Sequence, residues 1–165
     1  MKNWMIALFF NVIQIVSAHA TPALFSDNVL TLGDAIVVEG ENTRYYQDVR
    51  LSPTPNGDFK VLGGVEKALA TVTELTVTVI ETDPVQVEVG VSGYMANPCI
   101  DLNSAVTRKG RTFYVVVGET PLQTLVACAQ VTQPFELEIP LDVRGLDSGD
   151  YVVMVNGDSI EFDLD

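Results

Sequence analysis

The chain has 165 residues, and 9 Lys and Arg face 22 Asp and Glu, for a formal net charge of −13. That length suits one ordinary domain, or a small domain with an appendage. The acidic balance argues against nucleic acid and against anionic membrane surfaces as partners, since both are held by clustered Lys and Arg.

Residues 1–20 read as a secretory signal peptide. Lys2 supplies a positive start, Trp4 to Val16 is mostly apolar, and Ser17-Ala18-His19-Ala20 ends in an A-x-A pattern, with cleavage expected after Ala20. The apolar run is short for a span of about 20 residues, and Asn11 and Gln14 interrupt it. No later stretch is long and apolar enough to cross a bilayer. The expected location is therefore secreted or periplasmic, with no membrane span in the mature chain. Cleavage removes Lys2 and no acid, so the net charge of −13 becomes −14. It also removes His19 and Trp4, the only histidine and the only tryptophan. Ser-His-Asp catalysis, Cys-His catalysis and His-ligated metals leave with them.

Residues 21–64 read as a small N-terminal β module. Val29 to Leu32 and Ala35 to Val38 are short strand candidates separated by Gly33-Asp34. Gly40-Glu41-Asn42 turns the chain into a strand from Thr43 to Leu51, with Tyr45, Val49 and Leu51 on one side. Pro53 to Gly57 is rich in breakers, and Phe59 to Leu62 is a last short strand. The segment VLTLGDAIVVEGENTRYYQDVRL resembles a short module of many exported bacterial proteins, in which an "LTIP" strand, a Gly turn and a Tyr-x-x-V-x-L strand follow one another. The Ile-Pro of that module is absent here.

Gly63-Gly64 to Thr73 is the expected linker, with Val65 to Ala70 as a short helical turn. Residues 65–165 then read as an all-β, antiparallel, immunoglobulin-like β-sandwich. Leu75, Val77 and Val79 alternate with threonines, and Val85 to Val91 alternate with Gln86, Glu88 and Gly90. Ile100 to Thr107 is a less regular strand, and Arg108-Lys109-Gly110 turns into Phe113, Val115 and Val117. Phe135, Leu137, Ile139 and Leu141 alternate with Glu136, Glu138 and Pro140. Tyr151, Val153 and Val155 lead into Asn156-Gly157, the strongest short hairpin signal, because a type I′ turn needs positive φ at both central residues. Ile160, Phe162 and Leu164 alternate on the way back. Seven strands at such turn spacings favour a sandwich over a parallel sheet with crossover helices. Leu146-Asp147-Ser148-Gly149-Asp150-Tyr151 is similar to the tyrosine corner of sandwich domains, in which a Tyr hydroxyl bonds to upstream backbone.

Residues about 73–165 resemble a domain of unknown function that recurs in bacterial secreted proteins and lipoproteins. The elements carrying the resemblance are Gly93 to Cys99, Cys128, Pro134-Phe135-Glu136, Ile139 to Val143, Gly145-Leu146, Gly149, Tyr151 and Val155-Asn156-Gly157. The loop from Glu119 to Val126 departs from the pattern. The resemblance implies an immunoglobulin-like fold and a paired Cys99 and Cys128, and it implies no activity. The two cysteines also pair by default in an exported chain. Their bond would contribute about 3–4 kcal/mol by the chain-entropy estimate.

Several constellations merit weighing. Glu136 and Glu138 lie two apart on one strand and share a face, the arrangement of paired carboxylates in glycosidases, or of a plain solvated sheet face. Asp147, Asp150 and Asp158 cluster near turns and are weak calcium candidates, without the spacing of an EF-hand loop. Arg108, Lys109 and Arg111 form the one dense basic cluster, a contact for an acidic partner or a solvated turn. The expectation is a non-enzymatic exported interaction or structural module of the bacterial cell envelope, without cofactor, whose protein or envelope partner is unknown. The alternative is an inhibitor of secreted proteases, acting through Met95-Ala96-Asn97-Pro98 and Glu119 to Thr124.

Overall fold

A computed structural model describes residues 22–40, 42–122 and 127–165. The expected signal peptide lies outside the described residues. The described chain is all β: β1 (Leu24–Ser26), β2 (Val29–Glu39), β3 (Asn42–Pro53), β4 (Phe59–Leu69), β5 (Thr71–Ile80), β6 (Gln86–Met95), β7 (Ile100–Lys109), β8 (Thr112–Pro121), β9 (Gln133–Leu141), β10 (Gly149–Val155) and β11 (Asp158–Leu164). Its two sheets form a β-sandwich. One holds β5-β6-β9, and the other runs β1-β2-β3-β4-β8-β10-β11, with β7 on the far edge of β8.

The core follows from the period-two pattern. Val87, Val89 and Val91 of β6 and Phe135, Leu137, Ile139 and Leu141 of β9 point inward from the small sheet. Phe113, Val115 and Val117 of β8, Tyr151, Val153 and Val155 of β10, and Phe162 and Leu164 of β11 meet them. Strands β5 to β11 are the seven that alternation predicts for this unit. Every strand pair is antiparallel except β8 with β10. Between those two strands the chain visits β9 in the other sheet, so β10 returns in the direction of β8.

Strand β8 divides its second edge between two partners. Its first half, Thr112 to Val115, takes β10, while Gly118 and Glu119 take Leu69 and Ala68 of β4. The side chain of Asn156 fills the junction. It accepts from the Val117 N–H at 2.9 Å and donates to the carbonyls of Ala70 at 2.9 Å and Val117 at 3.0 Å. Asn156 and Gly157 have φ of 52° and 112°, the turn expected of them.

The N-terminal strands depart from their expected bounds. Val65 to Ala70 is not a helical turn: Val65 to Leu69 complete β4. Val65 to Lys67 pair with β3, and Ala68 and Leu69 with β8, so backbone partners come from neighbours, where a lone turn of helix has none to spare. The expected boundary between residues 64 and 65 thus falls inside a strand. The candidates Val29–Leu32 and Ala35–Val38 are one strand, β2, with Gly33-Asp34 in its middle. Strand β1 is additional. Asp27 and Asn28, at φ of 50° and 62°, turn it into β2, and short Asx side chains tolerate that region better than most.

The meander β2-β3-β4 continues the large sheet and folds back over its β7–β8 part, β3 packing on β8 and β2 on β7. Tyr45 and Val116 are both 0% exposed, outside the main core. A Cβ added to Gly118 would lie 2.5 Å from Cδ1 of Tyr45, so the missing side chain is what admits the ring.

Candidate functional site

The β7–β8 hairpin carries the basic cluster, and its three members take different roles. Arg108 donates to the Gly110 carbonyl at 2.6 Å. Arg111 leaves the cluster, donating to the Ser148 carbonyl at 3.1 Å with its guanidinium 5.3 Å from the centroid of the Tyr151 ring. Tyr151 in turn donates its hydroxyl to the Asp147 carbonyl at 2.7 Å, so the tyrosine corner forms where the sequence places it. Arg111 is therefore part of the corner, and the exposed tip keeps Arg108 and Lys109.

The calcium candidates are not brought together. Asp147 and Asp150 lie at the start of β10, while Asp158 pairs with Val155 at its other end. Among the described residues, no three His, Cys, Asp or Glu side chains are grouped to hold a metal. Glu136 and Glu138 share the outer face of β9, opposite Ser92 and Gly90 of β6. The sulfurs of Cys99 and Cys128 are 2.07 Å apart, at disulfide distance, 29 positions apart in the chain. Beside them the carboxylate of Glu119 accepts the Ala96 N–H at 3.0 Å, tying the Met95–Pro98 loop to β8. Gln123 and Thr124 of the second expected loop lie outside the described residues.

A cleft of about 690 Å³ opens between the meander and the sandwich. Ile36 of β2, Ser104 of β7 and Phe113 of β8 line it, with Arg108, Asp142 and Arg144. Arg144 clasps Asp142 through two bonds of 2.8 Å, and these bonds hold the Asp142 carboxyl down at about 2. The Ser104 hydroxyl is buried without a hydrogen-bond partner among the described residues. The charges lining the cleft balance, with Asp34 and Asp142 beside Arg108 and Arg144. Deeper in the meander, Tyr45 donates its hydroxyl to Asp34 and accepts from Gln47 at 2.7 Å. Burial, and then the bond to Asp34, pushes the Tyr45 phenol well above its ordinary range.

The largest feature that sequence reading missed is apolar and exposed. Cross-strand partners share a face in an antiparallel sheet. Phe25 pairs with Leu30, Leu30 with Leu51, and Leu51 with Val61, so one apolar row crosses four strands. Phe59 stands two residues from Val61 on the same face. Phe25 is 60% and Val61 66% exposed, and Leu24 and Leu62 are exposed on the opposite face. The signal was available as apolar residues of matching parity in consecutive strands, but the registers that align them were not.

The fold and these features define an all-β sandwich with a covering β-meander. Residues 89–164 match the family model of the ORF11 beta-sandwich domain, a match that runs from within β6 to the end of β11 and omits the meander. No curated protein and no solved structure matches the chain. Among the described residues, no helix is long and apolar enough to cross a membrane.

Proposed function

We propose that this protein is a non-enzymatic interaction module of the bacterial cell envelope, exported by residues 1–20, and that the meander is its contact surface. The observation that carries the reading is the apolar row Phe25, Leu30, Leu51 and Val61 across β1 to β4, extended by Phe59 and Val65 on the same face, with Phe25, Phe59, Val61 and Val65 exposed. Contiguous apolar surface is costly to leave in water, and on soluble proteins it marks a site that something covers. Arg108 and Lys109, on an acidic body, are a secondary contact that orients an acidic partner by steering.

The test places a photo-crosslinking residue at Phe25 or Val61, and at Glu136 as the opposite-layer control, in cells exporting the protein. Adducts with another envelope component at the first two positions and not at the control are expected. Equal labelling at all three positions overturns the reading.

Inhibition of secreted proteases is the second reading. It is favoured by the bond from Ala96 to Glu119 beside Cys99, which fixes an exposed loop as inhibitor loops are fixed. A protease panel decides it: no loss of protease activity with excess protein removes this alternative.

A further inference from the structure

The edges of the two sheets are guarded unequally. Strand β9 carries Pro134 and Pro140, β1 has three residues, β5 packs against β11, and β7 lies under β2. Prolines, shortness and coverage are the usual ways an edge is kept from pairing. Strand β4 has none of these from Phe59 to Lys67. Among the described residues, its pairs there are all to β3, and β8 takes over the opposite edge only at Ala68. Among the described residues, the free edge therefore runs over residues 59–67, and its midpoint is Gly63.

We propose that this edge pairs antiparallel with the same edge of a second copy, about a two-fold axis at Gly63. An isologous contact must be self-complementary. Full overlap of two edges bounded at 59 and 67 sets the register, and that register places Lys60 opposite Glu66 of the other copy, twice. It also places Val61 opposite Val65, twice, Leu62 opposite Gly64, and Gly63 opposite Gly63. Opposite charges and paired β-branched residues are the stabilising cross-strand combinations. A one-residue slip that centres the pair between Gly63 and Gly64 sets Lys60 against Lys67 and Val61 against Glu66. The charge pattern thus favours the register that full overlap of the edge sets, since neither one-residue slip keeps Lys60 opposite Glu66. Lys60, Val61, Leu62, Val65 and Glu66 are all exposed in the single chain, as this pairing requires. The two meanders would join into one continuous sheet, with Val61 and Val65 continuing the apolar row across the axis.

The proposal rests on the meander being a contact surface and adds the identity of one partner. Its test is the mass in solution of the purified protein between about 1 and about 100 μM, by light scattering and sedimentation. A concentration-dependent dimer is expected. Lys60→Glu, which sets two carboxylates against each other at both ends of the contact, should weaken it about tenfold or more. Adding Glu66→Lys to that variant should restore it. A monomer throughout the range overturns the proposal, as does a dimer indifferent to Lys60→Glu or not rescued by the exchange. A monomer whose β4 binds a strand of another protein also overturns it. Envelope adducts at Val61 from a monomeric protein leave the functional reading standing without the dimer. A rescued dimer with no adducts to any other component does the reverse.

Discussion

Asn156 illustrates how one side chain can be legible for one role and silent for another. Asn-Gly declares a tight turn because both residues take positive φ, and that much is local. The bonds from its amide to Val117 and Ala70 depend on β4 and β10 meeting along one edge of β8, 86 positions apart for the Ala70 contact. Nothing in the Asn-Gly pair encodes that meeting. Asn156→Gly separates the two roles, since glycine accepts the turn conformation but offers no amide. Three part-buried bonds at about 1 kcal/mol each make the expected loss about 2–3 kcal/mol. Urea unfolding measures it, and an unchanged midpoint would show that the junction holds without the side chain.

At the scale of elements, alternation is sufficient wherever a strand has one wet face. Strands β9 and β11 are read correctly from Phe135 to Leu141 and from Ile160 to Leu164 because each buries every second residue. Alternation falls short at β8, where Val115, Val116 and Val117 are all buried. A continuous apolar run is the sign of a strand covered on both faces, and here the second cover is the meander. It fails at Val65 to Ala70 because a short amphipathic string has no fixed state until its neighbours supply hydrogen bonds. Gly118 marks the contact between the two units. Where a glycine has space for a methyl and an ordinary φ, Gly→Ala gains stability by restricting the unfolded chain. At Gly118 the added methyl meets the buried ring of Tyr45, with Cε1 at 2.7 Å, so Gly118→Ala should cost about 1–3 kcal/mol. In a Tyr45→Ala background the same change should cost little, giving a coupling of about 1 kcal/mol or more in a double-mutant cycle. Additive effects would mean that the ring relaxes freely.

Across the whole molecule, the question is whether the meander and the sandwich are separate cooperative units. Composition and turn signals suggest a boundary at residues 64 and 65, because Gly63-Gly64 punctuates the sequence as linkers do. The strand passes through that point, and three contacts bind the two sides. Strand β4 continues the β8 ladder at Ala68 and Leu69, Tyr45 is fully buried against Gly118, and Val116 is fully buried on the face that the meander covers. Uncovering Val116 alone would expose a side chain whose burial contributes about 1.5–3 kcal/mol, and the Tyr45 ring would lose its packing against Gly118 as well. Opening the meander without the sandwich is therefore costly near β8 and cheap at the far end, where Phe25, Phe59 and Val61 are already in water. Native-state hydrogen exchange should show this gradient within single strands. Amides of β3 and β4 near Tyr45 and Lys67 should open at the same free energy as those of Val116 and Val117, in one global transition. Amides near Leu51 and Val61 should open locally, at lower free energy. If the Tyr45 and Lys67 amides exchanged with Leu51 and Val61 instead, the meander would be a unit of its own, and the contact at Gly118 would be too weak to join it to the sandwich.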